Sequence, residues 1–310
     1  MIDWNIVVDK STELVKGYNA SGIRPTLRQL HYRLASLQVG GYENTSNCYK
    51  ALSRQLVQAR KRDLIPWDGL ADHIRRRDWN QLCPTIDFEK VLRSYVQILG
   101  IDPWKEQGTR VVIWLEKDAL VDLVTDTARN FYVPVCVSRG YSSWTFIHDN
   151  LDLLNSDPQA LVLYLGDHDP SGLDIERSLG EAVDYFDGGM YGGLPAGIGE
   201  ALRSFGLAGG SPKITRVALT YDQVQQYGLL PNPTKKADSR SRSYVDRYGD
   251  QCWELDALDP ATLRTLVTQA VERERDLGLW ASTMNSNRQR RERILARLEG
   301  LNLDLDPDSE

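Results

Sequence analysis

The sequence predicts an α/β fold with a mainly parallel sheet, because short, continuous apolar runs alternate with helical patterns. Two of these runs, at 111–115 and 161–165, are rich in the β-branched and aromatic residues that strands prefer. Strands that are apolar along their whole length are typical of a parallel sheet covered on both faces. Further runs at 134–138 and 213–220 predict two more strands.

Helical patterns follow the predicted strands. One helix is predicted directly after Glu116, over 117–130, and another from Arg139 to Leu154. The resulting β-α-β-α-β-α order is that of an open α/β sheet, in which ligands collect outside the carboxyl ends of the strands.

Acidic residues stand at those carboxyl ends. Glu116 directly follows the run at 111–115, and Asp167 and Asp169 follow the run at 161–165. Three carboxylates at one edge of a sheet predict a site for Mg²⁺ or Mn²⁺, since oxygen ligands suit hard cations and no His/Cys cluster accompanies them. The alternative is a polar turn, because Gly, Asp, Pro and Ser are common turn residues; Glu116, in the equivalent position on its own strand, favours the metal site.

A short amphipathic helix is predicted after Pro25. Its leucines form one stripe, while Tyr32 lies almost opposite that stripe and Arg28, four residues earlier, shares its surface. Tyr32 and Arg28 are therefore predicted to face away from the core, where they could meet a phosphate together. An ordinary amphipathic helix with a surface tyrosine is the alternative. The leucines of the stripe are Leu27, Leu30, Leu34 and Leu37.

The next predicted helix has a basic face. Lys50, Arg54 and Lys61 lie opposite an apolar stripe made of Tyr49, Leu52, Leu56 and Ala59. Residues 21–77 hold eleven Lys/Arg and four Asp/Glu, a net charge of +7, which leaves −13 for the remainder of the chain. This asymmetry favours a nucleic-acid-binding module attached to an acidic catalytic body.

The motifs together resemble one family, the A subunit of type IIB DNA topoisomerases (topoisomerase VI) and the related meiotic double-strand-break proteins. The resemblance is carried by Glu116, the RGYS turn at 139–142 and the DHDPSG segment at 167–172. The segment 28–32, RQLHY, is similar to the tyrosine motif of that family.

The resemblance implies a winged-helix DNA-binding domain over 1–85, a linker helix over 86–106 and a Toprim Rossmann-like domain with a C-terminal extension over 107–310. The segment 65–77 would be a wing. It also implies DNA strand breakage, with Tyr32 attacking a backbone phosphate that Arg28 holds. The implied ligands of Mg²⁺ or Mn²⁺ are Glu116, Asp167 and Asp169, with Asp174 as an additional candidate, and the implied DNA contacts are Lys50, Arg54, Lys61 and Arg139.

His168 lies between the two aspartates. In extended backbone it would point to the opposite side from them, which predicts a structural role and not a ligand. The family further implies double-stranded DNA as partner and a homodimer in which the tyrosine of one subunit works at the metal site of the other. Strand passage would need a separate ATPase subunit, because the sequence has no P-loop.

Three functions remain open at this point. The first is a covalent transesterase, in which Tyr32 stays joined to the DNA end. The second is a Toprim nuclease that hydrolyses DNA with metal-activated water and uses Tyr32 only as a DNA contact. The third is a DNA-binding protein that has kept the fold without catalysis.

Composition sets the outer limits. A chain of 310 residues with 41% hydrophobic content suffices for about two domains. The four cysteines show no CxxC spacing, and the chain shows neither a secretory signal nor an apolar run near ~20 residues. We therefore expect a cytoplasmic protein that does not span a membrane.

The remaining segments say less about function. The glycine-rich stretch at 188–210 predicts a loop, and 231–243 predicts an exposed basic loop. The helix at 287–300 would pack on the body or on a second subunit, and the acidic end is predicted to be disordered.

Overall fold

The structure of the protein is a computed structural model, which describes residues 2–71, 88–154, 159–189, 212–234 and 241–299. Within these ranges, four parallel strands form one sheet in the order β2-β1-β3-β4. The predicted α/β class is thereby confirmed. The strands are β1 Arg110–Leu115, β2 Val135–Val137, β3 Ala160–Leu165 and β4 Lys213–Ala218.

Both faces of the sheet are covered, which explains the continuous apolar runs. Side chains alternate along β1, so that Val111 and Ile113 pack in one core and Val112 and Trp114 in the other. The first core includes helices α5 (Val121–Arg129) and α11 (Pro260–Arg273), and the second includes α6 (Trp144–His148) and α8 (Pro170–Gly189). β1 and β3 lie at the centre and are almost entirely buried.

The helix predicted from Arg139 to Leu154 is wrong in its bounds. Arg139 and Gly140 have positive φ angles of 54° and 96°, which a right-handed helix does not accommodate. Helix α6 begins instead after Ser143, whose side chain accepts a hydrogen bond from the backbone N–H of Phe146. A second short helix, α7, covers Leu151–Leu154.

The N-terminal region consists of three helices, α1 (Trp4–Ala20), α2 (Leu27–Ser36) and α3 (Ser46–Lys61). They share a core of their own, to which Leu30, Leu34, Leu52 and Leu56 contribute as the apolar stripes predicted. Leu37 is an exception: α2 ends at Ser36, and Leu37 is 41% exposed. Helix α1 was not predicted from the sequence.

Helix α2 begins with a capping box. Thr26 accepts a hydrogen bond from the backbone N–H of Gln29, and the Gln29 side chain accepts one from the backbone N–H of Thr26. Thr26 also forms an isolated parallel bridge with Ala71. The rest of the predicted wing, and the predicted domain boundary at 85, lie in 72–87, outside the described residues.

The C-terminal part returns across the carboxyl end of the sheet. It contains α9 (Tyr221–Tyr227), the two-residue antiparallel strands β5 (Asn232–Pro233) and β6 (Gln251–Cys252), and α10 (Ser241–Tyr248). Of the predicted loops at 188–210 and 231–243, the parts 190–210 and 235–240 lie outside the described residues, as does the acidic end after 299. The described ends contradict the loop prediction, since 188–189 belong to α8, 232–233 to β5 and 241–243 to α10.

The last helix, α12 (Leu277–Glu299), packs on the same chain, against α4 (Phe88–Ile98) and the residues that follow it. Asn287 accepts a hydrogen bond from Ile101 N at 2.7 Å and donates one to Ile101 O at 2.8 Å. Of the two packing alternatives for this helix, the structure shows packing on the body. No helix in the described ranges combines the length and apolar character needed to cross a membrane.

Candidate active site at the carboxyl end of the sheet

A cleft of about 500 Å³ lies at the carboxyl end of β3, where the N-terminal helices meet the C-terminal segment. Tyr32 and Arg28 line it from α2, and Asp167 and Asp169 line it from the end of β3. The two groups of sequence-predicted residues therefore face one cavity within a single chain. The other lining residues are His31, Asn44, Thr45, Ser46, Tyr49, Lys117, Pro170, Ser171, Asn232, Pro233, Cys252 and Glu254.

Glu116 and Asp167 lie side by side at the carboxyl ends of the neighbouring strands β1 and β3. Glu116 Oε2 accepts hydrogen bonds from Asp167 N and from the Tyr164 hydroxyl, both at 3.2 Å. Burial, followed by the charges of Asp167 and Asp169, raises the pKa of Glu116 to about 7. Burial, together with the neighbouring negative charges, therefore makes it costly for Glu116 to ionise.

Two glycines allow this close packing. A Cβ on Gly166 would lie 2.5 Å from Glu116 Oε2, and a Cβ on Gly172 would lie 2.2 Å from the carbonyl oxygen of Asp167. The Gly172 N–H donates to Asp169 Oδ1 at 2.6 Å. The glycines of this segment are therefore required by close contacts around the acids, beyond the ordinary preference of turns for glycine.

The residues suit a hard divalent cation by donor type, since all three offer carboxylate oxygens that repel one another. In the described part of the chain, however, no three His, Cys, Asp or Glu side chains are arranged as a metal-binding group. The additional candidate Asp174 is engaged elsewhere, by Arg177 at 2.7 Å and by the Tyr141 hydroxyl.

Lys117 places a positive charge beside Asp167 and two further carboxylates. Its Nζ lies 2.6 Å from Asp256, 2.8 Å from Glu254 and 3.3 Å from Asp167. Burial alone would lower the pKa of Lys117, but the three carboxylates outweigh burial and raise it, so the ammonium stays charged. No sequence motif marks Lys117, although its place directly after Glu116 at a strand end is consistent with a role in the site.

Glu254 links the sheet to the N-terminal helices. It accepts hydrogen bonds from Lys117 and from Arg28, which also lies 5.8 Å from the centre of the Tyr49 ring. Burial would raise the pKa of Glu254, but the two cations lower it. Glu254 and Asp256 were not predicted as site residues, because no motif in their segment marks them.

Tyr32 departs from its predicted exposure. The prediction that it faces solvent is wrong, because the C-terminal segment covers this side of α2 and leaves Tyr32 only 5% exposed. The hydroxyl still borders the cleft, where it accepts a hydrogen bond from Asn232 Nδ2 at 2.8 Å. Burial, then the charge of Glu254, raises the pKa of Tyr32 to about 12, although Asn232, Lys117 and Arg28 act in the opposite direction.

His168 does not line the cleft, in agreement with the prediction that it points away from the aspartates. It is 2% exposed and packs against the rings of Tyr221, Tyr244, Tyr248 and Trp253. Its backbone pairs with that of Trp253 through hydrogen bonds of 2.8 and 3.0 Å. Burial, then the charge of Arg216, lowers the pKa of His168 to about 4, so the ring is neutral at pH 7.

The predicted DNA contacts lie outside the cleft. Lys50, Arg54 and Lys61 are exposed on α3, as the stripe pattern predicted, and the first turn of the same helix borders the cleft. Arg139 is exposed and pairs with Asp118 at 3.3 Å.

Comparison with known proteins found no family model that matches the chain and no curated protein similar to it.

Proposed function

We propose that the protein is a metal-dependent DNA-cleaving enzyme in which Tyr32 attacks the DNA backbone. The single observation that carries this proposal is the shared cleft: Tyr32 and Arg28 border the same cavity as Asp167 and Asp169. A tyrosine hydroxyl, two cations and a group of carboxylates at the carboxyl end of a parallel sheet are the parts that phosphoryl transfer requires.

In the proposed reaction the Tyr32 oxygen bonds to phosphorus as the bond between phosphorus and the deoxyribose oxygen breaks. The phenol gives its proton to solvent, and the departing oxygen takes one up. Arg28 would leave Glu254 to hold the phosphate, because a guanidinium binds two phosphate oxygens with parallel hydrogen bonds. Lys117 would keep the surrounding carboxylates neutralised.

Glu116, Asp167 and Asp169 are the residues that would hold Mg²⁺ or Mn²⁺. When bound, such an ion supplies positive charge that stabilises the charge developing on the phosphate. The raised pKa of Glu116 supports this assignment, since a bound cation would offset both the burial and the repulsion from Asp167 and Asp169 that raise it.

Two features support a nucleic-acid substrate. The basic face of α3 is exposed and continues from the helix end that borders the cleft. Both α3 and α8 begin at the cleft, and helix N-termini favour phosphate groups. We accordingly propose Lys50, Arg54 and Lys61 as contacts to double-stranded DNA, with Arg139 as a further contact.

The proposal extends to the type of each domain and to the subunits of the assembly. We propose a winged-helix domain for the N-terminal helices and a Toprim domain for the parallel sheet, with a homodimer and a separate ATPase subunit as in the topoisomerases that the motifs resemble. A single chain already holds Tyr32, Asp167 and Asp169 in one cleft. The proposed homodimer would therefore either align two such clefts or exchange the tyrosine between them.

A hydrolytic nuclease is the second candidate. The burial of Tyr32 and its pKa of about 12 favour this reading, because the neutral phenol is a weak nucleophile at pH 7. In that reaction, Tyr32 would contact the DNA while metal-activated water attacks the phosphate.

The experiment uses internally labelled supercoiled DNA with Mg²⁺ or Mn²⁺, stopped with denaturant and analysed before and after protease. Wild type is compared with Tyr32→Phe and Asp167→Ala. Tyr227→Phe serves as the matched control, since Tyr227 is a partly exposed tyrosine outside the cleft.

We expect wild type and Tyr227→Phe to form a protein-linked DNA end that both other variants lose. Free ends that survive Tyr32→Phe but vanish in Asp167→Ala would establish the nuclease instead. Cleavage that neither Tyr32→Phe nor Asp167→Ala reduces would contradict both candidates and leave DNA binding without catalysis at this site.

A further inference from the structure

A chain of four hydrogen bonds ends on the Tyr32 hydroxyl. Tyr42 Oη lies 2.7 Å from His31 Nδ1, and His31 Nε2 lies 3.0 Å from Asn44 Oδ1. Asn44 Nδ2 contacts Asn232 Oδ1 at 3.3 Å, and Asn232 Nδ2 contacts Tyr32 Oη at 2.8 Å. We call these five residues the hydrogen-bond chain.

Every link of the hydrogen-bond chain has a defined direction. Asn44 Oδ1 can only accept, so His31 carries its proton on Nε2 and donates it there. Burial lowers the pKa of His31, which keeps the ring neutral and leaves Nδ1 as an acceptor for the Tyr42 hydroxyl. All the donors therefore point towards Tyr32.

The amide of Asn232 is oriented by the same logic. Its oxygen accepts from Asn44, which also donates to Pro231 O at 3.4 Å, so its NH₂ group must face the Tyr32 oxygen. His31 is 5% exposed and lies 5.4–5.5 Å from the rings of Tyr32, Tyr42 and Tyr49, measured between ring centres. A ring held between three others has little freedom to turn and release the chain.

We propose that Asn232 is a catalytic residue of the cleavage reaction, whose amide N–H holds the Tyr32 oxygen and stabilises the phenolate as it forms. His31 and Asn44 are positioning residues that fix this amide. The inference rests on the proposed function, since it assigns a role towards the proposed nucleophile. Asn232 neither gains nor loses a proton: Tyr32 releases its proton to solvent, the bond from Tyr32 oxygen to phosphorus forms, the bond from phosphorus to deoxyribose oxygen breaks, and the departing oxygen takes up a proton from solvent.

The proposed reaction needs a group that stabilises negative charge on the Tyr32 oxygen, and the Asn232 amide can do so. Asn232 occupies one lone pair of the Tyr32 oxygen and leaves another for attack on phosphorus. A hydrogen bond to a charged group strengthens as the charge forms, so a donor at this position favours the phenolate over the phenol. Within the described part of the chain, the Tyr32 oxygen accepts its hydrogen bond from Asn232, a neutral donor.

The test compares Asn232→Asp, Asn232→Ala and Asn44→Ala with wild type, and uses Asn5→Ala, an exposed asparagine of α1, as matched control. The Asp variant keeps the shape of the side chain but removes the donor. Adduct formation is timed with Mn²⁺, DNA affinity is measured separately, and circular dichroism checks folding.

Tyrosines are also replaced by 3,5-difluorotyrosine, whose phenol titrates at lower pH, and the Tyr32 fluorine signal is assigned by its loss in Tyr32→Phe.

We expect both Asn232 variants to slow adduct formation about 10- to 100-fold with little change in DNA affinity. Asn44→Ala should lose less, because Asn232 keeps its donor but not its orientation. The pKa of the Tyr32 phenol should rise in Asn232→Ala.

Folded Asn232→Asp that forms adduct at the wild-type rate, while Tyr32→Phe forms none, would overturn the inference and leave the proposed function standing. If Tyr32→Phe and Asp167→Ala both match wild type, the proposed function fails and the inference fails with it. For a wild type that forms no adduct, the fluorine titration decides: an unchanged Tyr32 pKa in Asn232→Ala overturns the inference.

Discussion

The cleft has two walls: a helix wall formed by α2 and the first turn of α3, and a sheet wall formed by the residues after β3. Each wall has a buried histidine next to a candidate residue, but the hydrogen bonds of the two histidines differ. His31 follows the helix wall and precedes Tyr32, whereas His168 stands between the aspartates of the sheet wall. Each contacts a tyrosine hydroxyl, Tyr42 at 2.7 Å and Tyr244 at 2.9 Å.

The difference lies in where the hydrogen bonds lead. Around His168 they form a closed loop, since the Tyr244 hydroxyl donates back to the His168 carbonyl at 2.8 Å. Around His31 they continue through two amides to the Tyr32 oxygen in the cleft. His168, beside the acidic motif, therefore stabilises the fold, whereas His31, beside Tyr32, is linked to the candidate site by hydrogen bonds. Lys117 and Glu254 join the two walls.

The largest effect is expected from breaking this junction with Lys117→Met. Without the ammonium, the fully buried Asp256 loses the cation at 2.6 Å and Glu254 keeps only its contact with Arg28, and one-sided removal of a buried ion pair costs about 3–5 kcal/mol. Denaturant unfolding measures the loss. Combining Lys117→Met with Asp256→Asn should recover part of it, because the double variant also removes an anion. A loss below about 1 kcal/mol in the single variant would show that Lys117 does not hold the walls together.

A smaller effect concerns the sheet wall alone and depends on pH. The folded protein raises the pKa of Glu116 to about 7 from an ordinary value of 4.5. Its contribution to stability is therefore present below pH 4.5 and is lost as pH rises through 7, with a magnitude on the order of 3 kcal/mol.

We expect unfolding curves of wild type to weaken between pH 5 and 8 relative to Glu116→Gln, which does not titrate, in metal-free buffer. Mn²⁺ should reverse this loss in wild type at pH 8, since binding requires the ionised carboxylate. Parallel curves for the two proteins across this range would contradict the raised pKa of Glu116.

The smallest effect belongs to the exterior of the helix wall. Lys50→Ala and Arg54→Ala should each weaken DNA binding a few-fold and reduce the slope of log affinity against log salt by about 1. Fluorescence anisotropy at several salt concentrations measures both quantities. Lys16→Ala, an exposed lysine of α1, should leave the slope unchanged. Equal slopes for all the variants would exclude the basic face of α3 as a DNA contact.

Much of the scaffold was predictable from local patterns. The four strands appear within a few residues of their predicted bounds, and Leu30, Leu52 and Leu56 are buried as their spacing indicated. The placement of Glu116 and Asp167 at one edge also followed from the pattern, because parallel strands end at the same edge of a sheet.

The departures came from segments distant in sequence. The helical period placed Tyr32 opposite the leucine stripe of α2, and only the packing of the segment that carries Asn232 and Glu254 buries it. Likewise, the break before Ser143 depends on backbone angles that the apolar pattern of that segment does not encode.

By itself, then, the sequence determined the four strands, helices α2 and α3 and which residues end the strands, since periodicity and strand ends depend on neighbours a few residues apart. Only the tertiary structure decided that Lys117 pairs with Glu254 and Asp256, and that Asn232 contacts Tyr32. Such contacts depend on the close approach of buried polar groups from distant segments, where each charge or donor must find a partner once water is excluded.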